Sequence, residues 1–241
     1  MRSGLKFWLL TLFALLGAAA TLSLGFWQLS RAAEKLALQA AIERKASLPA
    51  LDDVALLALP NPLEQAMHQK ILLHGRWLAD RTLFLDNRPM SGKTGFYVVT
   101  PFALSGSDKV VLVQRGWVQR NFVDRASVPS IETPAGEVDI KGLISPPPSK
   151  LYELGGAESG IIRQNLDMAQ YRAETGLALL PVSVRQTGDA GDGLERDWPQ
   201  ISLGVSKNYG YAFQWFGLSA LIAILYVWFQ IVRRFFIPRR T

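Results

Sequence analysis

The chain has 241 residues and no cysteine, which excludes a disulfide framework, a thiolate metal site and a cysteine nucleophile. Its formal charge of +6 would suit nucleic acid, but the excess sits at the ends. Arg2, Lys6, Arg233, Arg234, Arg239 and Arg240 have no acidic neighbours, and the remaining Lys and Arg balance all 20 Asp and Glu, so the long middle is neutral and a nucleic-acid role loses its support.

From Phe7 to Ser30 there is no charged residue, and the same holds from Asn208 to Val232. Both runs exceed the roughly 20 residues that cross a hydrocarbon core of about 30 Å. One charge near the centre of either would cost about 2.5–3.5 kcal/mol on insertion scales. Trp8 and Trp27 bracket the first run, and Tyr209, Tyr211 and Trp228 lie toward the ends of the second, where aromatic side chains favour the interface. Ala18, Ala19 and Ala20 could form a signal-peptide cleavage site, but the apolar pattern continues through Leu22, Leu24, Phe26 and Trp27, longer than a signal core needs. The short basic ends place both termini in the cytoplasm by the positive-inside rule, and the long middle segment is translocated regardless of its charge. The expected division is a tail at 1–6, a transmembrane helix at 7–29, an extracytoplasmic domain at 30–207, a second transmembrane helix at 208–232 and a tail at 233–241. In a bacterium the setting is the inner (cell) membrane, with the domain on the periplasmic face or cell exterior; in a mitochondrion the domain would face the intermembrane space.

Gly17, Thr21 and Gly25 recur every four residues and form a stripe of small side chains, suited to close helix packing in lipid against the chain's own second helix or another subunit. Trp27, Arg31 and Lys35 fall at i, i+4 and i+8, so the first helix is predicted to run on to about Ala46, until Pro49 nears. Pro60-Asn61-Pro62 then leads into a core read as strands at 71–73, 82–85, 96–100, 110–113, 138–143 and 181–185. Asp86-Asn87-Arg88-Pro89, Gly92 with Gly95, and Ser105 to Asp108 separate them as turns. Connections this short favour antiparallel pairing. Asp167 is predicted to cap a brief helix through Arg172 that ends near Gly176. Pro146-Pro147-Pro148 and Gly188 to Gly193 read as exposed loops. The fold class is a membrane protein of α+β type, two transmembrane helices flanking a mainly antiparallel β domain, a barrel or strongly bent sheet, with short helices.

No nucleophile elbow, phosphate-binding glycine loop or zinc-helix motif occurs, so nothing points to an enzyme or a metal site. Gly155 to Gly160 is glycine-rich but matches no phosphate fingerprint and reads as a turn. His68 and His74 would share one face of a strand, conceivable as metal or haem ligands, but they lack companions. Asp52-Asp53 reads as a solvated pair. Arg88 in a predicted turn and Arg115-Gly116-Trp117 after a strong strand are candidates for protein recognition, since a guanidinium can stack and fork to a carboxylate; the alternative makes Trp117 core and Arg115 a sheet-edge charge.

Four blocks carry a resemblance. Leu24 to Arg31, Asn87 to Phe102, Val111 to Val118 and Tyr209 to Phe216, in that order and across nearly the whole chain, are similar to the Surfeit locus protein 1 family. The resemblance implies an accessory, chaperone-like factor, not an enzyme, for biogenesis of the respiratory haem-copper cytochrome c oxidase, acting as subunit I receives its haem. Its implied partners are subunit I, other oxidase assembly factors and the lipid bilayer. The implied contact residues are Trp27, Gln28, Arg31, Arg88, Arg115, Gly116, Trp117, Tyr211 and Trp215. Haem a is the implied cofactor, but members that handle haem place a histidine where this chain has Asn208, a poor iron ligand, which favours a scaffold over a haem-binding carrier at the membrane surface. A two-anchor extracytoplasmic scaffold unrelated to oxidase is the remaining alternative.

Overall fold

The computed structural model describes residues 2–124, 127–152, 160–188, 192–199 and 203–236. It divides into two compact units, one made of residues 1–41 and 201–241 and the other of residues 42–200.

The first unit holds two helices. Helix α1 (Arg2–Ser47) continues unbroken through the whole uncharged run and beyond it, as its sequence predicts, and α5 (Val205–Tyr226) passes into a π-helical stretch (Val227–Phe236). Both are long and apolar enough to cross a membrane. Hydroxyls inside α1 are satisfied locally: Thr11 donates to the Phe7 carbonyl at 2.9 Å and Thr21 to the Gly17 carbonyl at 2.9 Å. The small-residue stripe faces α5. A Cβ on Gly17 would lie 3.6 Å from Ile222 Cδ1, and one on Gly25 would overlap the Phe216 ring. Ser219 donates to the Ala18 carbonyl at 3.1 Å, and the Phe26 and Phe216 rings meet edge to face at 5.3 Å.

The second unit is a β domain with short helical additions, α2 (Asp53–Ala58) and α3 (Pro62–Ala66) before it and α4 (Met168–Thr175) within it. Its strands are β1 (Lys70–Trp77), β2 (Leu83–Met90), β3 (Lys93–Leu104), β4 (Val110–Gln119), β5 (Glu137–Ser145), β6 (Ile162–Arg163) and β7 (Leu179–Gln186). They follow the order β1-β5-β7-β4-β3-β2-β6, and β1 also pairs with β3, which closes a ring of five strands. The hairpin neighbours β2–β3 and β3–β4 pair antiparallel, as do β1–β3, β1–β5 and β5–β7. Two pairs depart from the antiparallel expectation: β4–β7 and β2–β6 are parallel. Each joins strands separated by a long excursion of chain, which frees the second strand to enter in either direction.

Periodicity explains burial. β1 alternates exposed and buried along most of its length, whereas β4 is buried on both faces: Val111 and Val113 join one core cluster and Val110 and Leu112 another. At α4, the Asp167 carboxylate accepts from the Ala169 and Gln170 amides at 2.9 and 3.1 Å, and Gly176 closes the helix with φ 68°. Of the two predicted exposed loops, the first is only partly so, since Pro146 is exposed while Pro148 is buried. In the second, Gly188 and Gly193 are exposed and residues 189–191 lie outside the described residues, as does most of the Gly155 to Gly160 turn.

Candidate functional site

Two groups of residues stand out, one in each unit. In the helical unit, a cavity of about 460 Å³ is lined by Trp27, Gln28, Arg31 and Lys35 of α1 and by Leu203, Gly204, Lys207, Asn208 and Tyr211 at the start of α5. The spacing i, i+4, i+8 brings Trp27, Arg31 and Lys35 onto one helix face. A relay fixes the floor: Lys35 Nζ donates to Asn208 Oδ1 at 2.8 Å, and Asn208 Nδ2 donates to Gln28 Oε1 at 2.6 Å. Arg31 reaches Glu34 at 2.7 Å. Five of the sequence-predicted residues, Trp27, Gln28, Arg31, Asn208 and Tyr211, therefore meet here. Trp215 lies one turn beyond Tyr211 on α5 and is half-buried, outside the cavity lining.

In the β domain the remaining candidates are interior. Arg88, Arg115 and Trp117 are only 2%, 1% and 1% exposed, so their side chains do not form a recognition surface. Arg88 is not in a turn either. β2 runs through it to Met90, and Asn87, in the left-handed region at φ 59°, sits where the β2–β3 register shifts between Leu85 and Arg88. That bulge turns the Arg88 side chain inward, where its guanidinium donates to the carbonyls of Ser149 and Gln164, both at 2.8 Å. The Arg88 carbonyl accepts from the Trp117 indole at 2.7 Å. Burial pushes the Arg88 guanidinium below its usual range.

Arg115 is core, not edge. It donates to Thr133 Oγ1 at 2.6 Å, to the Glu132 carbonyl at 2.8 Å and to Asp192 at 3.1 Å, and its guanidinium lies 4.7 Å from the centre of the Trp77 ring. Arg196 also holds Asp192, at 2.6 Å, and donates to the Arg115 carbonyl at 2.7 Å. Desolvation lowers the Arg115 pKa, and Asp192 works against that shift. Together with Gln186 and Ile140, these groups border a cavity of about 590 Å³. Gly116 is required by a close approach: a Cβ there would lie 2.7 Å from Leu194 Cβ and 2.8 Å from the Glu195 carbonyl oxygen, which accepts from the Trp117 amide.

The histidines do not share a strand. His68 precedes β1 with φ 72°, its amide bonded to the Ile144 carbonyl, and desolvation, then Arg185 and Lys45, lower its pKa. His74 is on β1, with one ring nitrogen 2.8 Å from Asp139 and the other 3.3 Å from Glu137. Asp52 is a helix cap, accepting from the Ala55 amide at 2.7 Å.

Residues 15–220 match the SURF1 family, which takes in most of both helices and the whole β domain. The chain belongs to the SURF1 family. A SURF1-like protein of Rickettsia bellii is 28% identical over 226 residues, covering 84% of this chain and 83% of the relative. Surfeit locus protein 1 of Rattus norvegicus is 27% identical over 242 residues, with 92% and 76% covered. The cytochrome oxidase assembly protein SHY1 of Saccharomyces cerevisiae is 28% identical over 127 residues, with 52% and 32% covered.

Within this SURF1-family chain, sequence reasoning missed Lys207, Asp192 and Arg196. Lys207 was legible as the cation directly before Asn208. Asp192 and Arg196 were not, because a glycine-rich loop gives no periodicity from which to place a buried carboxylate.

Proposed function

We propose that the chain is a membrane-anchored, non-enzymatic factor in assembly of the haem-copper cytochrome c oxidase, attending subunit I at the stage of haem insertion. The observation that carries this reading is the family match over residues 15–220, supported by the yeast relative, whose name gives oxidase assembly as its role. In this reading residues 7–29 and 208–232 cross the bacterial inner membrane, residues 30–207 face outward and both termini are cytoplasmic. The helical unit, with Trp27, Tyr211 and Trp215 at its surface, meets subunit I and other assembly factors within the bilayer. The interior frame of Arg88, Arg115 and Trp117 keeps the β domain in one shape.

The residues around Asn208 do not fit a haem iron site. The helical unit contains no histidine, and the Asn208 amide is already engaged by Lys35 and Gln28. His74 has both ring nitrogens facing carboxylates, and His68 is held in a strained backbone position. In this reading the chain acts by holding its client protein, with no step routed through haem bound to it.

The test is deletion of the gene, with the reduced-minus-oxidised haem spectrum of membranes recorded beside oxidase turnover. A depleted haem a signal with proportionate loss of activity is expected. Normal haem content together with normal turnover would overturn the reading.

A further inference from the structure

We propose that the cavity between α1 and the start of α5 binds the phosphodiester of an anionic phospholipid headgroup. The inference rests on the two helices crossing a membrane as described above, and is independent of the oxidase role.

Among the described residues three cations, Arg31, Lys35 and Lys207, line this cavity and no carboxylate does; counting the Glu34 partner of Arg31, the rim keeps a net positive charge. Lys207 has no carboxylate within ion-pair distance among the described residues. The ammonium of Lys35 is fixed by the relay through Asn208 to Gln28, so one donor is held in place before any ligand arrives. Arg31 supplies a planar fork suited to two oxygens of one phosphate.

Position selects the ligand. The cations lie just past the end of the first apolar run and just before the second, with Trp27 and Tyr211 half-exposed beside them, which is the depth of headgroups and aromatic belts. Leu24 on α1 and Trp215 on α5, one helical turn from the lining residues Gln28 and Tyr211 toward the bilayer interior, offer acyl chains an apolar wall. Under the topology above this is the translocated face, where arginine and lysine beside a span are not favoured by the positive-inside rule, so three together there call for an anion. A lipid phosphodiester is the anion present at that depth throughout any bilayer containing acidic lipid.

The experiment uses the full chain in neutral detergent, with native mass spectrometry after addition of phosphatidylglycerol or phosphatidylcholine. Preferential retention of phosphatidylglycerol is expected. Lys35→Ala and Lys207→Ala should each lower that retention about five-fold, Lys207→Arg should preserve it, and Arg233→Ala at the opposite end should leave the preference intact. Equal retention of the two lipids would overturn the proposal. So would a triple Arg31→Ala, Lys35→Ala, Lys207→Ala variant that holds phosphatidylglycerol like the parent. Should the triple variant fail to purify, Lys207→Glu at an exposed position provides the same reading. Displacement of the lipid by millimolar inorganic phosphate would assign the cavity to a soluble phosphate and refute a lipid source.

Discussion

Replacing Asp192 by asparagine tests whether the buried arginine cluster is held by charge or by shape. Asp192 accepts from Arg115 and Arg196, whose side chains are 1% and 7% exposed, while its own is 14% exposed. Asparagine keeps the volume and an acceptor oxygen but removes the countercharge, leaving Arg115 with neutral acceptors alone, those of Thr133, Glu132 and the asparagine itself. Breaking a buried pair costs about 3–5 kcal/mol, and the partial exposure of Asp192 sets the expectation at the low end, about 3 kcal/mol. With a urea slope of about 2 kcal/mol/M, the midpoint of the β-domain transition should fall by about 1.5 M. The assay is a urea titration of the full chain in neutral detergent, followed by near-ultraviolet circular dichroism, to which Trp77 stacked on Arg115 contributes. The exposed Lys109–Asp108 pair of the same domain is the internal contrast: Asp108→Asn should change stability by less than about 0.5 kcal/mol. If Asp192→Asn unfolds at the parental midpoint, the cluster is held by packing and the charge argument fails.

Gly116→Ala forces a methyl against Leu194 and the Glu195 carbonyl, with strain of about 1–3 kcal/mol and weakening of the paired backbone bonds between Trp117 and Glu195; a urea midpoint indistinguishable from the parent would refute it. Gly25→Leu must displace the Phe216 ring and part the helices. Because the chain lacks cysteine, disulfide yield between Ala18→Cys and Ser219→Cys reports their approach, and Gly25→Leu should reduce that yield. The bonds from His74 to Asp139, then to Glu137, raise the His74 pKa above its ordinary 6.5 despite some opposing desolvation. Its contribution to stability is therefore complete below pH 6.5 and is lost as pH rises through the raised value; His74→Gln should flatten the urea midpoint across that interval. Asp167, held down to about 2 chiefly by Lys150 and the α4 amides, contributes above its ordinary 3.8 and loses that contribution as pH falls toward 2. Asp167→Ala should remove this acid-side slope in the same titration.

What the sequence disclosed depended on how local the cause was. The helix after Asp167 was legible because a cap and a closing glycine lie within ten residues. The run of α1 beyond its apolar segment was legible because Trp27, Arg31 and Lys35 repeat at helical spacing. Arg88 was misread because Asp-Asn-Arg-Pro has turn chemistry, and the same Asn87 that suits a turn also suits the left-handed residue of a bulge. The burial of Arg115 was not legible, since its acceptors come from Thr133, Glu132 and Asp192, far away in the chain and in segments without periodicity. The β4–β7 pairing was hidden for the same reason: strand direction across a long excursion is set by the closure of the ring and by no feature of either strand alone.

Closure of the ring also restricts how another protein can approach the β domain. β1 is covered by β5 on one side, and on the other by β3 near its end and by Leu51, whose amide and carbonyl bond Lys70 and Leu72 near its start. β5, β7 and β4 each have neighbours on both sides, and β2 is partly capped by the two residues of β6. Among the described residues little free main chain remains to template an added strand. A client protein meeting this domain must therefore be recognised through side chains and loops, which makes its selectivity a matter of surface chemistry, open to change at single exposed positions without disturbing the barrel beneath.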